Sequence, residues 1–152
     1  MTLHRAQPPY DWPALLTLIT TAFAGMEGRI APPSSAATLI PATLAHQSHT
    51  AEIWVIGHPP QACVILTPKP GHLYLGKLAV APNQQGRGLA RTLITHAETR
   101  ARALNLPLLE LETRVELTEN HAFFRHMGFI ESARKSHAGF TAPTSITYTK
   151  HL

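Results

Sequence analysis

A mixed α/β fold in one domain, with helices inserted into a largely antiparallel sheet, is what the sequence predicts. The 152-residue chain suits a single domain spanning residues 1–152. Apolar residues make up 44% of the chain and charged residues only 14%, which is typical of a folded rather than a disordered chain. Apolar residues recur with a helical period in some segments and a strand period in others, so both element types alternate along the chain.

The first half of the chain predicts two helices followed by three strands. Residues 15–23 place apolar side chains at helical spacing, with Asp11 as the N-cap and Gly25 as the stop signal. Residues 35–47 predict a second helix, which Pro41 is expected to break. Three β-rich apolar runs separated by turn signals then predict consecutive antiparallel strands, at residues 51–57, 61–68 and 72–82.

The second half begins with a long helix directly after the third of these strands. The period changes at Gln85, and apolar residues from Leu89 to Leu104 form one stripe that ends at Asn105. Residues 108–115 alternate like a strand. The remaining elements are a short helix at residues 120–128 and two final strands at residues 129–136 and 145–152.

Charge and composition exclude several classes of function. The formal net charge of +4 suits an anionic ligand, but the basic residues are scattered. Without a basic run, zinc-finger spacing or an aromatic RNA-binding signature, no nucleic-acid partner is expected. No apolar window is long enough to span a membrane, so no membrane association is expected. Residues 1–16 do not read as a signal peptide, so a cytoplasmic location is the default expectation.

Cysteine and histidine spacing argue against a metal site. Cys63 is the single cysteine and lies in the apolar run ACVIL, which predicts a buried core residue and leaves no disulfide. The pair His46 and His49 has no accompanying acidic ligand, and His121 and His126 diverge on a helix. No metal is therefore expected.

A glycine-rich loop is the most informative local pattern. Residues 83–94 read NQQGRGLARTLI and place Gly86 and Gly88 between a predicted strand and a predicted helix. The first N–H groups of a helix lack internal partners and carry partial positive charge, so such a loop suits a phosphate, with Arg87 and Arg91 adding charge. Arg91 stands where a dinucleotide fingerprint needs a small residue, and no Walker A motif is present. A tight strand-to-helix turn without a ligand is the alternative that spacing alone leaves open.

Two segments resemble the signatures of the GNAT acetyltransferase superfamily. Residues 75–101, LGKLAVAPNQQGRGLARTLITHAETRA, are similar to its acetyl-CoA signature, a strand ending in Leu-x-Val followed by Gln/Arg-x-x-Gly-x-Gly/Ala at the start of a long helix. The matching positions are Leu78, Val80, Gln85, Gly88 and Ala90. Residues 119–129, ENHAFFRHMGF, resemble the second signature, with Asn120, Ala122, Gly128 and Phe129 at the matching positions. The order of predicted elements is also that of the family, so the resemblance covers nearly the whole chain.

The resemblance implies a specific fold and a cofactor. The fold is GNAT-like, with a central, mostly antiparallel seven-stranded sheet, four helices, and fourth and fifth strands that splay apart. Acetyl-CoA is the implied co-substrate, with its pantetheine arm along the fourth strand and its pyrophosphate on the amides of the glycine-rich loop. The residues that the resemblance assigns to the cofactor are Leu78, Ala79, Val80, Gln85, Gly86, Arg87, Gly88, Leu89, Ala90, Asn120, Phe123 and Phe124.

The implied chemistry is direct attack of a neutral amine on the acetyl carbonyl, with a backbone amide near Ala79 or Val80 stabilising the oxyanion. Many family members carry a tyrosine five residues before the closing Phe, proposed to protonate the CoA thiolate, where this chain has Phe124. Because phenylalanine cannot donate a proton, either another group serves or CoA leaves as the thiolate. The catalytic candidates are Tyr74, Glu112 and Asn120, with Glu110, Glu116 and His121 as further acid/base candidates. A packed Tyr74 and a solvated Glu112 are the plainer interpretations.

The expected function is therefore that of an acetyl-CoA-dependent N-acetyltransferase, moving an acetyl group to a primary amine of a small molecule or peptide. A non-catalytic acetyl-CoA or CoA-binding sensor or regulatory domain is the alternative that the missing tyrosine leaves open. In the family, the segment between the first two helices flanks the acceptor site, which makes Glu27 and Arg29 the candidates for substrate binding. An ordinary exposed ion pair is their plainer interpretation. The sequence is compatible with both a monomer and a homodimer.

Overall fold

The computed structural model describes residues 1–152 and contains one seven-stranded sheet with four α-helices. The strands are β1 Leu3–Arg5, β2 Glu52–Ile56, β3 Ala62–Lys69, β4 His72–Val80, β5 Leu108–Arg114, β6 Ile130–Lys135 and β7 Ser145–His151. The helices are α1 Trp12–Phe23, α2 Pro41–Gln47, α3 Leu89–Ala103 and α4 Thr118–His126. The predicted fold class is confirmed.

The sheet is mostly antiparallel, in the order β1-β2-β3-β4-β5-β7-β6. Only β4 and β5 run parallel, because α3 carries the chain back to the other end of the sheet between them. Their pairing is short and joins Leu73–Leu75 to Leu109–Leu111. Beyond these residues the two strands separate, which confirms the predicted splay of the fourth and fifth strands.

The first helix begins where its sequence predicts. Asp11 caps α1 by accepting a hydrogen bond from the backbone N–H of Ala14 at 3.1 Å. The prediction that Gly25 ends the helix is only approximately right. The α-helix ends at Phe23, and Gly25 lies in a 3₁₀ turn over Ala24–Met26 that continues it. Such tightening of the last turn is a common way to satisfy the final carbonyls of a helix.

The predicted break in the second helical segment is present, but it lies just before Pro41 rather than at it. Pro41 is the first residue of α2, where a missing N–H costs nothing and the fixed φ suits the helix. The preceding residues form a separate 3₁₀ turn over Ser35–Thr38. The long helix α3 begins at Leu89 rather than at Gln85, because the glycine-rich residues before it form a loop.

Two apolar cores pack against opposite faces of the sheet. One core includes α3 and α4 and takes in Leu75 and Leu111. The other includes α1 and α2 and takes in Ile53 and Val55. Because side chains alternate along a strand, β2 and β3 contribute to both cores. None of the helices is both long and apolar enough to cross a membrane.

Candidate functional site

A cleft of about 960 Å³ opens where β4 and β5 separate, and we call it the splay cleft. From Gly76 onward, β4 is paired on one edge with β3 and has no neighbouring strand on the other. The backbone N–H of Ala81 donates to Gln61 O on the β3 side at 2.8 Å. Since successive peptide groups of a strand point to opposite edges, the N–H of Val80 faces the cleft. The free edge can hydrogen-bond to an extended ligand.

A β-bulge shapes this wall of the splay cleft. The register between β3 and β4 passes from Cys63 opposite Ala79 to Ile65 opposite Gly76, so β4 carries one extra residue here. Lys77 lies within the bulge and has a φ of 50°, in the left-handed region that non-glycine residues rarely occupy. Such a conformation persists only where the surrounding structure imposes it.

The bulge also reverses the alternation of side chains along β4. Leu75 and Ala79 would share a face in a regular strand, yet Leu75 packs in the core of α3 and α4 and Ala79 in the core of α1 and α2. Leu78 and Val80 consequently pack against the same core as Leu75. The extra residue thereby anchors the free end of β4 on both sides of the sheet.

Free backbone amides line the other end of the splay cleft. None of the N–H groups from Gln85 to Arg91 donates a hydrogen bond within the chain. The last three of them belong to the first turn of α3, whose N-cap residue, Gly88, offers no side chain to satisfy them. The helix dipole adds partial positive charge at the same place. The side chain of Arg91 also lines the cleft.

The two glycines of this loop have a conformational reason to be glycine. Gly86 and Gly88 each have a φ of 78°, a backbone conformation that residues other than glycine rarely adopt. A Cβ atom added at either position would meet no atom within 4 Å. The chain itself therefore leaves room beside both glycines, and free amides at the start of a helix suit an anion such as a phosphate.

Helix α4 forms the opposite wall with three of the predicted cofactor residues, Asn120, Phe123 and Phe124. Phe124 is only 7% exposed and packs edge-on against Phe129, with ring centroids 5.9 Å apart. It also packs against Tyr148, at 6.2 Å. At Phe124, the position that the sequence resemblance matches to a tyrosine, this wall is apolar. Phe124 therefore offers no hydroxyl to protonate a leaving group.

Two of the predicted catalytic side chains, Tyr74 and Glu112, line the splay cleft together with Asn120. Burial raises the pKa of Tyr74 to about 12, with smaller contributions from the charges of Glu112 and Glu110. Its hydroxyl is therefore protonated at neutral pH and can donate a hydrogen bond. The Glu112 carboxylate accepts a hydrogen bond from Lys135 Nζ at 3.0 Å, which leaves its second oxygen free as an acceptor.

The loop between α1 and α2, residues 24–40, closes one end of the splay cleft. Arg29 lines the cleft, and its Nη2 atom lies 2.8 Å from Glu119 Oε1 at the start of α4. The backbone N–H of Ala31 donates to Glu116 Oε2 at 3.3 Å. These contacts join the loop to the segment between β5 and α4.

Two further cations hold the same loop from the strands. Arg114, the last residue of β5, donates to the carbonyl oxygens of Pro32 at 2.6 Å and Pro33 at 3.2 Å. Lys77 donates from Nζ to Ser35 Oγ at 2.7 Å. The loop is thus attached to β4, β5 and α4, the three elements that wall the cleft.

Comparison with known proteins identifies this architecture. A family model described as the acetyltransferase (GNAT) family matches residues 12–129. The chain belongs to the GNAT acetyltransferase family. Membership indicates acyltransferase activity. A search of curated protein sequences found no significant match.

Solved GNAT structures share the fold at low sequence identity. An acetyltransferase from Streptococcus agalactiae 2603 is 19% identical, with 99% of this chain and 98% of that chain covered and a TM-score of 0.77. The ribosomal-protein-S18-alanine N-acetyltransferase from Escherichia coli is 21% identical over 99% of this chain and 92% of that chain, with a TM-score of 0.74. A GNAT acetyltransferase from Elizabethkingia anophelis, solved with acetyl-CoA bound, is 16% identical over 99% of this chain and 97% of that chain, with a TM-score of 0.71.

Most predicted cofactor residues of this GNAT chain come together in one place. Those that line the splay cleft are Leu78, Ala79, Val80, Gln85, Gly86, Gly88, Leu89, Ala90, Asn120, Phe123 and Phe124. Arg87 is exposed and does not line the cleft. Glu27, a candidate for substrate binding, is likewise exposed and outside the cleft lining. The roles assigned to all these residues stay predictions.

The three further acid/base candidates do not line the cleft, and each contacts another group of the chain. Glu110 Oε2 lies 3.1 Å from His72 Nε2. His121 is buried, with Nε2 2.9 Å from the backbone oxygen of Arg114. Glu116 holds the α1–α2 loop as described above. In this GNAT site, Tyr74 and Glu112 are therefore better placed than these three for acid/base work.

The cysteine of the GNAT chain is a core residue, as predicted. Cys63 is fully buried, and burial raises the pKa of its thiol to about 12. A thiol that stays protonated in an apolar core is a poor nucleophile. The structure contains no group of three or more His, Cys, Asp or Glu side chains that could hold a metal ion.

Sequence reasoning missed several cleft residues that the GNAT fold brings together. Lys77, Arg114, His137 and Ser145 all line the splay cleft. Lys77 could have been noticed, because a charged residue after a glycine in an apolar strand signals a bulge. Arg114, His137 and Ser145 carry no comparable local signal, since tertiary contacts alone place them at the cleft.

Proposed function

We propose that this protein is an acetyl-CoA-dependent N-acetyltransferase that moves an acetyl group directly to a primary amine of a small molecule or peptide. One observation carries the proposal. The unsatisfied amides from Gln85 to Arg91 and the free edge of β4 line the same cleft. A pyrophosphate on the amides places a pantetheine arm along that edge, so a single long ligand with both groups satisfies both sets of donors.

The acyl donor would be held by named groups of the chain. The amides of Gly86 and Gly88 to Ala90 bind phosphate, and Leu78 and Val80 offer backbone groups to the amides of the arm. Phe123 and Asn120 face its far end from α4. The Elizabethkingia anophelis relative with acetyl-CoA bound supports this choice of ligand.

The transfer itself needs a neutral amine, a stabilised oxyanion and a leaving thiol. The amine nitrogen attacks the acetyl carbonyl, the C–S bond breaks, and the N–H proton passes to a base or to solvent. The Val80 N–H faces the cleft and is the candidate oxyanion donor. The free oxygen of Glu112 can accept the proton, and the Tyr74 hydroxyl can donate to the departing sulfur.

The acceptor approaches from the end of the cleft closed by the α1–α2 loop, because the opposite end holds the free amides. The N-acetyltransferase of ribosomal protein S18 alanine, a relative that acts on a protein amine, supports peptides as one acceptor class. Small molecules with a primary amine are the other acceptor class that we propose.

Turnover tests the proposal. Purified protein is incubated with acetyl-CoA and each member of a panel of amino acids, small amines and short peptides, and release of the CoA thiol is followed together with the mass of each amine. We expect thiol release above the amine-free rate for at least one acceptor, with a mass increase of one acetyl group. The control is the same panel without protein.

A sensor domain is the second candidate, because the tyrosine position is occupied by the buried Phe124. The two functions differ in one result. A sensor shows a thermal shift with acetyl-CoA but no amine-dependent thiol release. Thermal stabilisation without turnover across the whole panel would therefore replace the transferase proposal with the sensor.

A further inference from the structure

Two cations at the acceptor end of the splay cleft have no carboxylate partner. Lys77 and Arg114 both line the cleft, and neither forms an ion pair with any acidic side chain of the chain. The hydrogen bonds that they make go to neutral oxygens, those of Ser35, Pro32 and Pro33. Their positive charges are therefore not compensated locally.

The acidic side chains of the cleft cannot supply the missing negative charge. Glu112 is paired with Lys135 at 3.0 Å, and Glu119 with Arg29 at 2.8 Å. Two like charges beside each other in a partly buried cleft disfavour one another. Consistent with this, burial and then the charge of Arg114 lower the pKa of Lys77. A bound anion would offset the repulsion between the two charges.

The phosphates of an acyl-CoA do not account for this pair of cations. The cradle for a phosphate lies at the other end of the cleft, from Gln85 to Arg91, where free amides and the Arg91 side chain await an anion. Leu78 to Val80 separate that cradle from Lys77 along β4. Arg114 stands on β5, beyond the point where the strands part. The two cations therefore face the group that meets the acetyl end of the donor.

The backbone at Lys77 supports a built site. A non-glycine residue at a φ of 50° in a strand is conformationally unfavourable and occurs here only because of the bulge. The bulge presents the ammonium group to the cleft, on the side of the α1–α2 loop. Arg114 keeps unused N–H donors after its two bonds to the loop, since a guanidinium has five.

Resting on the proposed transferase function, we propose that the acceptor amine carries a carboxylate, which binds between Lys77 and Arg114 while its amino group faces the acetyl donor. The carboxylate is either the α-carboxylate of an amino acid or an acidic side chain near the N-terminus of a peptide. Acceptors with further positive charges, such as polyamines, are disfavoured by the same two cations.

Matched acceptor pairs test this inference. Amino acids are compared with their amides, and peptides with Asp at the second position are compared with the same peptides carrying Asn. We expect kcat/KM to be roughly tenfold or more higher for the carboxylate member, the size of effect that one charge-assisted hydrogen bond gives. Which of the two series responds identifies the source of the carboxylate. Spermidine serves as the polycationic comparison and should be the poorest acceptor.

Variants of Lys77 link the preference to the site. Lys77→Gln should bring the carboxylate and amide members of a pair to similar kcat/KM values, whereas Lys77→Arg keeps the charge and should retain most of the preference. Lys77→Asn is a second neutral variant, because Asn tolerates a left-handed φ better than Gln. An unchanged thermal shift with acetyl-CoA shows that each variant is folded and binds the donor.

The outcomes are distinguishable. Equal turnover of acids and amides by the natural protein would overturn the carboxylate inference and leave the transferase proposal standing. An equal loss for both members in Lys77→Gln, with the preference intact, would also overturn it. No transfer to any amine, with the acetyl-CoA shift present, would instead contradict the transferase function and with it this inference.

Discussion

Arg29 and Glu119 form an ion pair that joins the α1–α2 loop to the first turn of α4, with Arg29 Nη2 2.8 Å from Glu119 Oε1 and 3.0 Å from Oε2. Both side chains are about half exposed, at 47% and 56%. An ion pair this exposed contributes little to global stability. Its consequence is local, because it joins the loop to α4 at the end of the splay cleft proposed for the acceptor.

Loss of this pair should impair acceptor binding and leave donor binding intact. Arg29→Ala is expected to raise the KM for the acceptor severalfold, with kcat and the acetyl-CoA thermal shift nearly unchanged, as expected for lost ground-state binding. Glu119→Gln is the matched variant and should have the same effect if the pair orders the loop. A lower KM in Glu119→Gln would show instead that Arg29 binds the acceptor directly and is freed by the substitution.

Negative charge in the glycine-rich loop should abolish donor binding. In the natural protein, acetyl-CoA at a hundredfold excess over Kd should stabilise the fold by about 2.7 kcal/mol. Asn and Asp have nearly the same shape and both tolerate a left-handed φ, so Gly88→Asn and Gly88→Asp isolate the effect of charge. We expect Gly88→Asp to lose the acetyl-CoA shift and Gly88→Asn to keep part of it. A full shift in Gly88→Asp would remove the phosphate assignment.

The ion pair between Glu52 on β2 and Arg100 on α3 should govern stability in acid. Arg100 Nε and Nη2 contact the Glu52 oxygens at 2.7 and 2.8 Å, and the Glu52 side chain is only 8% exposed. The hydrogen bond from Arg100 is the main reason that the pKa of Glu52 lies below its usual value, with Trp54 also contributing. A lowered carboxylate pKa stabilises the fold above the unfolded-state pKa, and this contribution is lost as pH falls through the folded-state pKa.

Glu52→Gln should therefore destabilise the protein by about 3 kcal/mol at pH 7, because it leaves the Arg100 charge half-buried and unpaired. The difference in unfolding free energy from the natural protein should shrink as the pH falls from the pKa of glutamate in the unfolded chain towards the lower pKa of Glu52 in the folded protein. Denaturant unfolding at several pH values measures it. The control is Glu131→Gln, which removes an exposed pair with Arg134 and should leave the unfolding midpoint unchanged. A pH-independent difference for Glu52→Gln would contradict the linkage.

The glycine-rich end of the splay cleft, where we propose that the donor binds, was predictable from sequence because it is local. Gln85 to Ala90 are contiguous, and the strand, glycines and helix that shape them carry their own signals. The order of strands and helices was predictable for the same reason. The break in the second helical segment was predictable, but not that Pro41 would begin α2, because a proline suits the first turn of a helix as well as it breaks a helix interior.

The end of the splay cleft proposed for the acceptor was not predictable, because long-range contacts build it. Arg114 meets Pro32, and Ala31 meets Glu116, across more than eighty residues of chain in each case. Lys77 reaches Ser35 over forty-two residues. The direction of these side chains depends on the bulge in β4 and on the separation of β4 from β5, neither of which has a periodic signature.

The pH profile of the reaction should rise and then stay flat. With the pKa of Tyr74 raised to about 12 by burial and by the neighbouring carboxylates, its hydroxyl remains protonated through pH 10. If it donates to the sulfur, kcat/KM should climb with deprotonation of the amine and show no descending limb below pH 10. Tyr74→Phe should lower kcat without changing the ascending limb. A descending limb near pH 10 that disappears in Tyr74→Phe would show that the tyrosine pKa is not raised.

Restoring a hydroxyl on α4 tests whether the protein lacks a proton donor. Phe124 lines the cleft but is only 7% exposed and packs against Phe129 and Tyr148. In Phe124→Tyr the new hydroxyl reaches the sulfur or stays unpartnered, and the second case costs about 1 to 3 kcal/mol of stability. We expect a modest change in kcat, because CoA can leave as a thiolate that accepts a hydrogen bond from Tyr74.

Phe123→Tyr is the matched control, since Phe123 also lines the cleft but does not occupy the tyrosine position of the family. It adds the same hydroxyl to the cleft lining and should change kcat less than Phe124→Tyr does if the family's position is the one that reaches the sulfur. The two variants are compared by kcat with a saturating acceptor and by their unfolding midpoints. A rise in kcat of about a hundredfold in Phe124→Tyr alone corresponds to about 2.7 kcal/mol of barrier and would identify protonation of the leaving thiol as the step that the natural protein performs poorly. That result would show that the natural protein turns over slowly because α4 offers no hydroxyl at this position.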